Sequence, residues 1–168
     1  MPDERAMLAA GDGCDDRHDM PQGAPLIHMR FPGRFMAVRE ALHSVMTQLA
    51  VLDLSEDGFA STELVLAEAL NNVVEHAYAT REGEIELDLR LCGGALACKV
   101  TDTGRPMPQG TPPSGNALVV NVPLDEVPEG GFGWFLIRSL THELAYRRER
   151  RANHLSFKLP LERRDRAP

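Results

Sequence analysis

Residues Glu63 to Tyr78 read ELVLAEALNNVVEHAY, and the spacing of polar and apolar residues predicts a helix with two different faces. Glu68, Asn71, Asn72 and Glu75 stand at i, i+3, i+4 and i+7, which sets them along one stripe. Leu66, Leu70, Val73, Val74 and Ala77 fall on the other side and form an apolar stripe that can dock on a core. A solvated helix face is ordinarily filled with Lys, Glu and Gln, because Asn competes for backbone hydrogen bonds and is a weak helix former. Two adjacent asparagines in mid-helix need a further reason.

One reason is chemical. An Asn carbonyl oxygen is a good ligand for Mg2+, which keeps several waters and completes its shell with substrate phosphates. Glu68, one turn before Asn72, would then stand where it could accept or position the proton of an attacking hydroxyl or water. The other reason is structural, with the asparagines capping or cross-linking neighbouring loops and Glu68 solvated. The stripe alone leaves both open. His76, near the helix end, is expected as a support residue bonded to a loop carbonyl rather than as a base.

Upstream, residues 1–24 are rich in Asp, Gly, Met and Pro without periodicity and are expected to form a loose leader. Leu26 to Phe31 alternates as a short strand, closed by Pro32 and Gly33. Phe35, Val38, Leu42, Val45, Met46 and Leu49 then keep helical spacing to about Leu52, and the helix with the asparagines starts at Asp57 or Ser61 and ends near Ala79. Downstream, Ile85, Leu87, Leu89 and Leu91 alternate with charged residues, Gly93-Gly94 signals a hairpin, and the return strand runs from Ala95 to Thr101.

A Pro- and Gly-rich stretch at about 103–130 follows, long enough to suggest a lid or binding loop. Its apolar centre, Leu118, Val119, Val120 and Val122, reads as a flap, a stray strand or a partner contact. Phe132 to Leu140 is a short apolar helix, and two closing strands lie at about Leu144 to Arg148 and His154 to Leu159. This order implies an α+β two-layer sandwich, mainly antiparallel, with helices on one face of the sheet. The domain is expected to span 25–161, with 162–168 as a tail.

Two further patches carry possible chemistry. Asp102 follows the buried strand end at Val100, where a carboxylate can accept hydrogen bonds from an amino group or simply start a turn. Gly131 and Gly133, flanking Phe132 before a helix, would let backbone N–H groups approach a phosphate, although a glycine hinge would look the same and no Walker lysine follows.

With 43% hydrophobic and 26% charged residues the chain falls among soluble globular domains, and no apolar run approaches a membrane span. The first residues lack a secretory pattern, so a cytoplasmic location is expected. Cys14, Cys92 and Cys98 have neither a disulfide-framework nor a metal spacing and read as reduced thiols. The net charge is −7, yet residues 131–168 hold nine Lys/Arg against four Asp/Glu. The run Arg147, Arg148, Glu149, Arg150, Arg151 reads as a solvated hairpin face or a docking patch; without interleaved aromatics it is not a nucleic-acid surface.

Together the three patches resemble the GHKL ATPase superfamily, whose members share the Bergerat nucleotide-binding fold. ELVLAEALNNVVEHAY resembles the N box, VTDTG the first glycine box and GGFGWFLIRSL the second. Within that group the likeness is to anti-sigma-factor serine kinases of the RsbW and SpoIIAB type, whose N box reads close to E-A-x-x-N-x-x-x-H-A-Y, matched by Glu68, Ala69, Asn72, His76, Ala77 and Tyr78. It extends from about 26 to 160. The resemblance implies Glu68 as general base, Asn72 as the Mg2+ ligand, and Asn71 and His76 beside the nucleotide. It further implies that Asp102 receives the adenine amino group, Gly104 lets the base approach, and Gly131, Phe132 and Gly133 form the phosphate turn under the lid.

One departure is that Asp102-Thr103-Gly104 continues as Arg105-Pro106, where a second glycine is common. The implied protein is an ATP- and Mg2+-dependent serine/threonine kinase and anti-sigma factor. Its partners would be a STAS-type antagonist and a sigma factor, with a homodimer expected and neither nucleic acid nor membrane bound directly. A non-catalytic ATP-binding switch is the alternative.

Overall fold

The computed structural model describes residues 23–115 and 132–164. The centre of the sheet is the hairpin of β2 (Glu84–Cys92) and β3 (Ala95–Asp102), and its two-residue turn needs glycine because Gly93 and Gly94 lie at φ of 54° and 82°. Strand β1 (Ala24–Pro32) adds to β2, β5 (Ala152–Pro160) adds to β3, and β4 (His142–Glu149) closes the far edge. The order is β1-β2-β3-β5-β4 with every neighbour antiparallel, the α+β sandwich expected.

Alternation decides which face is buried. Ile85, Leu87 and Leu89 of β2, Leu96, Cys98 and Val100 of β3, and Leu155, Phe157 and Leu159 of β5 all enter one core. Helices α1 (Phe35–Leu49), α2 (Glu56–Asn72) and α3 (Phe132–Leu140) contribute Val45, Leu49, Val65, Leu66, Leu70 and Ile137 to it. The opposite sheet face is polar. There His28 meets Asp88 at 2.8 Å and Arg30 meets Glu86 at 2.7 Å. Donor atoms of His28, Glu86 and Asp88 lie within 4.8 Å of one another, but Arg30 holds Glu86, and Lys99 and Arg90 stand beside them. Cross-strand ion pairing with a surplus of cations accounts for that cluster.

Helix α2 starts one residue before the earlier of the expected positions, because Ser55 caps it by accepting from the Gly58 N–H at 3.0 Å, with Glu56 and Asp57 in the first turn. The expected tail continues the fold at least to residue 164, since Ser55 N–H donates to the Glu162 carbonyl and Arg164 N–H to that of Asp53.

The other end of α2 corrects the reading more substantially. The regular helix stops at Asn72, and Val73–Ala77 forms a π-helical turn closed by Tyr78 N–H on the Val73 carbonyl at 3.0 Å. The wider turn breaks the i+7 relation, and Glu75 is exposed instead of continuing the Glu68–Asn72 stripe. Tyr78 then lies in a slot floored by Gly33 and Gly83, where a Cβ on either glycine would strike its ring. Its hydroxyl donates to the Glu84 carbonyl at 2.6 Å and accepts from Thr103 N–H at 3.1 Å.

Of the cysteines read as reduced, Cys98 is a free buried thiol, and burial pushes its pKa far up. Cys92 is disulfide-bonded, which corrects that reading. No helix among the described residues is long and apolar enough to cross a membrane.

The β4–β5 turn is made by Arg150 and Arg151 at φ of 45° and 72°, a left-handed pair that costs non-glycine residues roughly 1 kcal/mol each. Arg151→Gly is expected to stabilise the fold by about 0.5–1 kcal/mol in urea denaturation; an unchanged or lowered midpoint would contradict the strain.

Candidate functional site

The site is built along α2. Leu66, Ala69 and Leu70 are fully buried on its inner side, so the outer side carrying Glu68, Asn71 and Asn72 is half-buried and held in place by the core. Asn72 Nδ2 donates to the Glu68 carbonyl at 2.8 Å, which turns Oδ1 the other way. Among the described residues no donor meets Asn72 Oδ1, and no partner meets the Glu68 carboxylate.

The first turn of α3 closes on the same place. A Cβ on Gly133 would collide with Glu68 Oε2 and lie 3.8 Å from Asn72 Nδ2. The carboxylate thus rests against the start of α3, and glycine at 133 makes the approach possible.

The end of α2 holds the second patch. Gly104 is seated on Ala77, where a Cβ would stand 2.5 Å from the Ala77 carbonyl oxygen and 2.6 Å from its Cβ. Arg105 N–H donates to that same carbonyl at 2.9 Å. The sequence reading assigned Gly104 to the approach of a base; here contact with the backbone of the π-helical turn already demands glycine.

Asp102 is buried one step earlier. Its Oδ1 accepts from Gly104 N–H and from Asn153 Nδ2, each at 2.7 Å, and no donor among the described residues meets Oδ2. Burial raises its pKa above the ordinary carboxylate range; the bonds from Asn153 and Gly104 and the charges of Arg148 and Arg81 pull the other way.

Glu68, Asn72 and Gly133 therefore meet at the C-terminal turn of α2, and Asp102 and Gly104 lie at the π-helical turn that follows it. Asn71 is half-buried beside them. His76 is exposed, with Glu75 4.0 Å away and no loop carbonyl bonded to it among the described residues. Phe132 is exposed and stacks on Phe135 with ring centroids 6.0 Å apart. Gly131 and the flap residues Leu118 to Val122 lie outside the described residues. The stem of the expected lid rests on α3, where Arg138 donates to the carbonyls of Pro112 and Pro113 at 2.7 and 2.8 Å.

Sequence reasoning missed Asn153, Tyr146 and Arg148. Arg148 belongs to the basic run that reads as a solvated hairpin face or a docking patch, yet it turns inward to the Gly104 carbonyl at 3.1 Å and to Asn153 Oδ1. The Asn72 carbonyl oxygen, which meets no donor among the described residues, suits a hard cation, and Asp102 Oδ2, likewise without a donor among them, suits one N–H donor.

The histidine kinase-like ATPase domain family matches residues 31–159. A serine-protein kinase RsbW of Bacillus mycoides is 30% identical over 89 residues, covering 52% of this chain and 56% of that protein. The serine/threonine-protein kinase BtrW of Bordetella bronchiseptica is 33% identical over 94 residues, covering 54% of this chain and 62% of that protein. The matched stretch thus spans little more than half of each relative. A crystal structure of the RsbU and RsbW domains of a Mycobacterium tuberculosis protein superposes with a TM-score of 0.58 at 20% identity, covering 88% of this chain and 35% of that one, which establishes the fold.

Two outcomes test this geometry. Gly104→Ala forces the loop off rigid backbone and is expected to destabilise the fold by roughly 1–3 kcal/mol in chemical denaturation; a change near zero would refute the packing. Asp102 binds its proton more readily folded than unfolded, so its contribution is fullest below the unfolded value of about 4 and is lost as pH rises through the folded value. Asp102→Asn should therefore gain stability relative to wild type as pH rises above about 4. A pH-independent difference would contradict the burial cost.

Proposed function

Because the chain belongs to the histidine kinase-like ATPase domain family, we propose that it binds Mg·ATP along α2 and phosphorylates a serine or threonine of a small STAS-type anti-sigma-factor antagonist, while sequestering a sigma factor. The observation that carries the nucleotide reading is the convergence of the Glu68 carboxylate, the Asn72 carbonyl, which meets no donor among the described residues, and the side-chain-free Gly133. The kinase reading draws support from the two relatives named as serine or serine/threonine kinases.

Asn72 Oδ1 would hold Mg2+, which when bound supplies charge neutralisation for the phosphates. The chain's own residues do the rest. Asp102 Oδ2 accepts a hydrogen from the 6-amino group of the base, and Asn71 and His76 stand beside the nucleotide. Backbone N–H groups at the start of α3, which Gly133 lets lie close against Glu68, would meet phosphate oxygens. Glu68 accepts the hydroxyl proton as the acceptor oxygen bonds to the γ-phosphorus and the bridge to ADP breaks.

The anti-sigma role and a homodimeric, cytoplasmic state extend this proposal through the resemblance of the N box to that kinase group. Incubation with labelled ATP and a purified antagonist tests it. Glu68→Gln is expected to keep ATP binding and lose at least 100-fold in label transfer, whereas Asn72→Ala weakens Mg·ATP binding itself. Transfer by Glu68→Gln at the wild-type rate would remove the base assignment. Stoichiometric ATP binding by the wild type with no label transfer would favour a non-catalytic switch.

A further inference from the structure

We propose that Asn153 is the positioning residue that sets which purine this site accepts, by holding the Asp102 carboxylate in one orientation and tying it to residues 104–107 of the loop after β3. This rests on the reading of Asp102 as the base-binding carboxylate.

Asn153 is directly opposite Asp102 in the β3–β5 register and is 4% exposed. A carboxamide offers two donor hydrogens and a carbonyl with two lone pairs, and here all four are used. Nδ2 donates to Asp102 Oδ1 at 2.7 Å and to the Arg105 carbonyl at 2.9 Å. Oδ1 accepts from the Tyr146 hydroxyl at 2.7 Å and from the Arg148 guanidinium. The amide cannot be turned over, because that would set its oxygen against a carboxylate and its NH2 against a guanidinium.

The bonds spread from this node. Tyr146 Oη also accepts from Met107 N–H at 3.0 Å, and Arg148 reaches the Gly104 carbonyl. One buried side chain thereby ties Asp102 to residues 104, 105 and 107.

The consequence for ligand choice is geometric. Asp102 Oδ1 is committed to Gly104 and Asn153, leaving Oδ2 as one acceptor in a fixed direction. A 6-aminopurine offers a donor to that oxygen, whereas a 6-oxopurine offers an acceptor and leaves the carboxylate unpaired. Without Asn153 the carboxylate can rotate and the discrimination falls.

Equilibrium binding of Mg·ATP and Mg·GTP to the full chain, between pH 5.5 and 8.5, tests this. Wild type is expected to favour ATP without a steep pH dependence. Asn153→Asp sets a second carboxyl within hydrogen-bond distance of Asp102, and the pair must share a proton. The charged and titratable groups facing the pair are Arg148 and Tyr146 of β4 and Arg81 of the α2–β2 loop. His154, next on β5, meets Thr101 on the other sheet face.

ATP affinity of Asn153→Asp is therefore expected to fall at least tenfold at pH 8 and to recover toward pH 5.5. Tyr146→Phe keeps the ring and removes one bond from Oδ1, so the ATP-to-GTP ratio should drop several-fold in a chain that stays folded. Variants that melt earlier yet keep the wild-type ATP-to-GTP ratio, with no pH dependence for Asn153→Asp, would overturn the inference and leave the nucleotide site intact. A wild type that binds neither nucleotide would instead overturn the reading on which the inference rests.

Discussion

The packing of α2 against the sheet is the constraint on which the rest depends. Val65, Leu66, Ala69 and Leu70 have no exposed surface, so the helix cannot shift or rotate without opening the core. Burial at about 25 cal/mol per Å2 makes each such leucine worth roughly 2 kcal/mol. The polar side chains one residue away on the same cylinder inherit that rigidity. Glu68 and Asn72 are thus placed by hydrophobic packing, and the bond from Asn72 Nδ2 to the Glu68 carbonyl only trims the Asn72 rotamer.

The π-helical turn extends this control beyond the regular helix. By widening the last turn it presents the Ala77 carbonyl to Arg105 N–H and seats Gly104 against the helix end, while Tyr78 clasps Thr103. The loop after β3 is therefore bound to the same element that carries Glu68 and Asn72. From the other side, Asn153 joins that loop to β4 and β5. In the proposed function the base-binding end and the phosphate-binding end share one rigid support, which is what alignment of a nucleotide with a reacting hydroxyl requires.

Much of this was legible from local pattern. Period-two alternation located β2, the Gly93-Gly94 pair marked the turn and so the return strand β3, and helical spacing separated the core stripe from the polar stripe of α2. What was not legible depends on pairing between distant strands or on departures from ideal geometry. Nothing near Asn153 announces that it faces Asp102, since only the β3–β5 register joins positions 51 residues apart. Arg148 was hidden in a basic run, because composition does not tell an inward guanidinium from a solvated one. Glu75 was misplaced because an ideal helix was carried through a π-helical turn, and Gly104 owes its identity to a carbonyl on another element.

The central claim is that these patches form one nucleotide site along α2. Amide chemical-shift mapping during a Mg·ATP titration tests it most directly. The account predicts shifts concentrated at residues 68–72, 102–107 and 132–135, with the open sheet face around His28, Asp88 and Lys99 unmoved. Shifts confined to that open face, or none at saturating nucleotide, would contradict it.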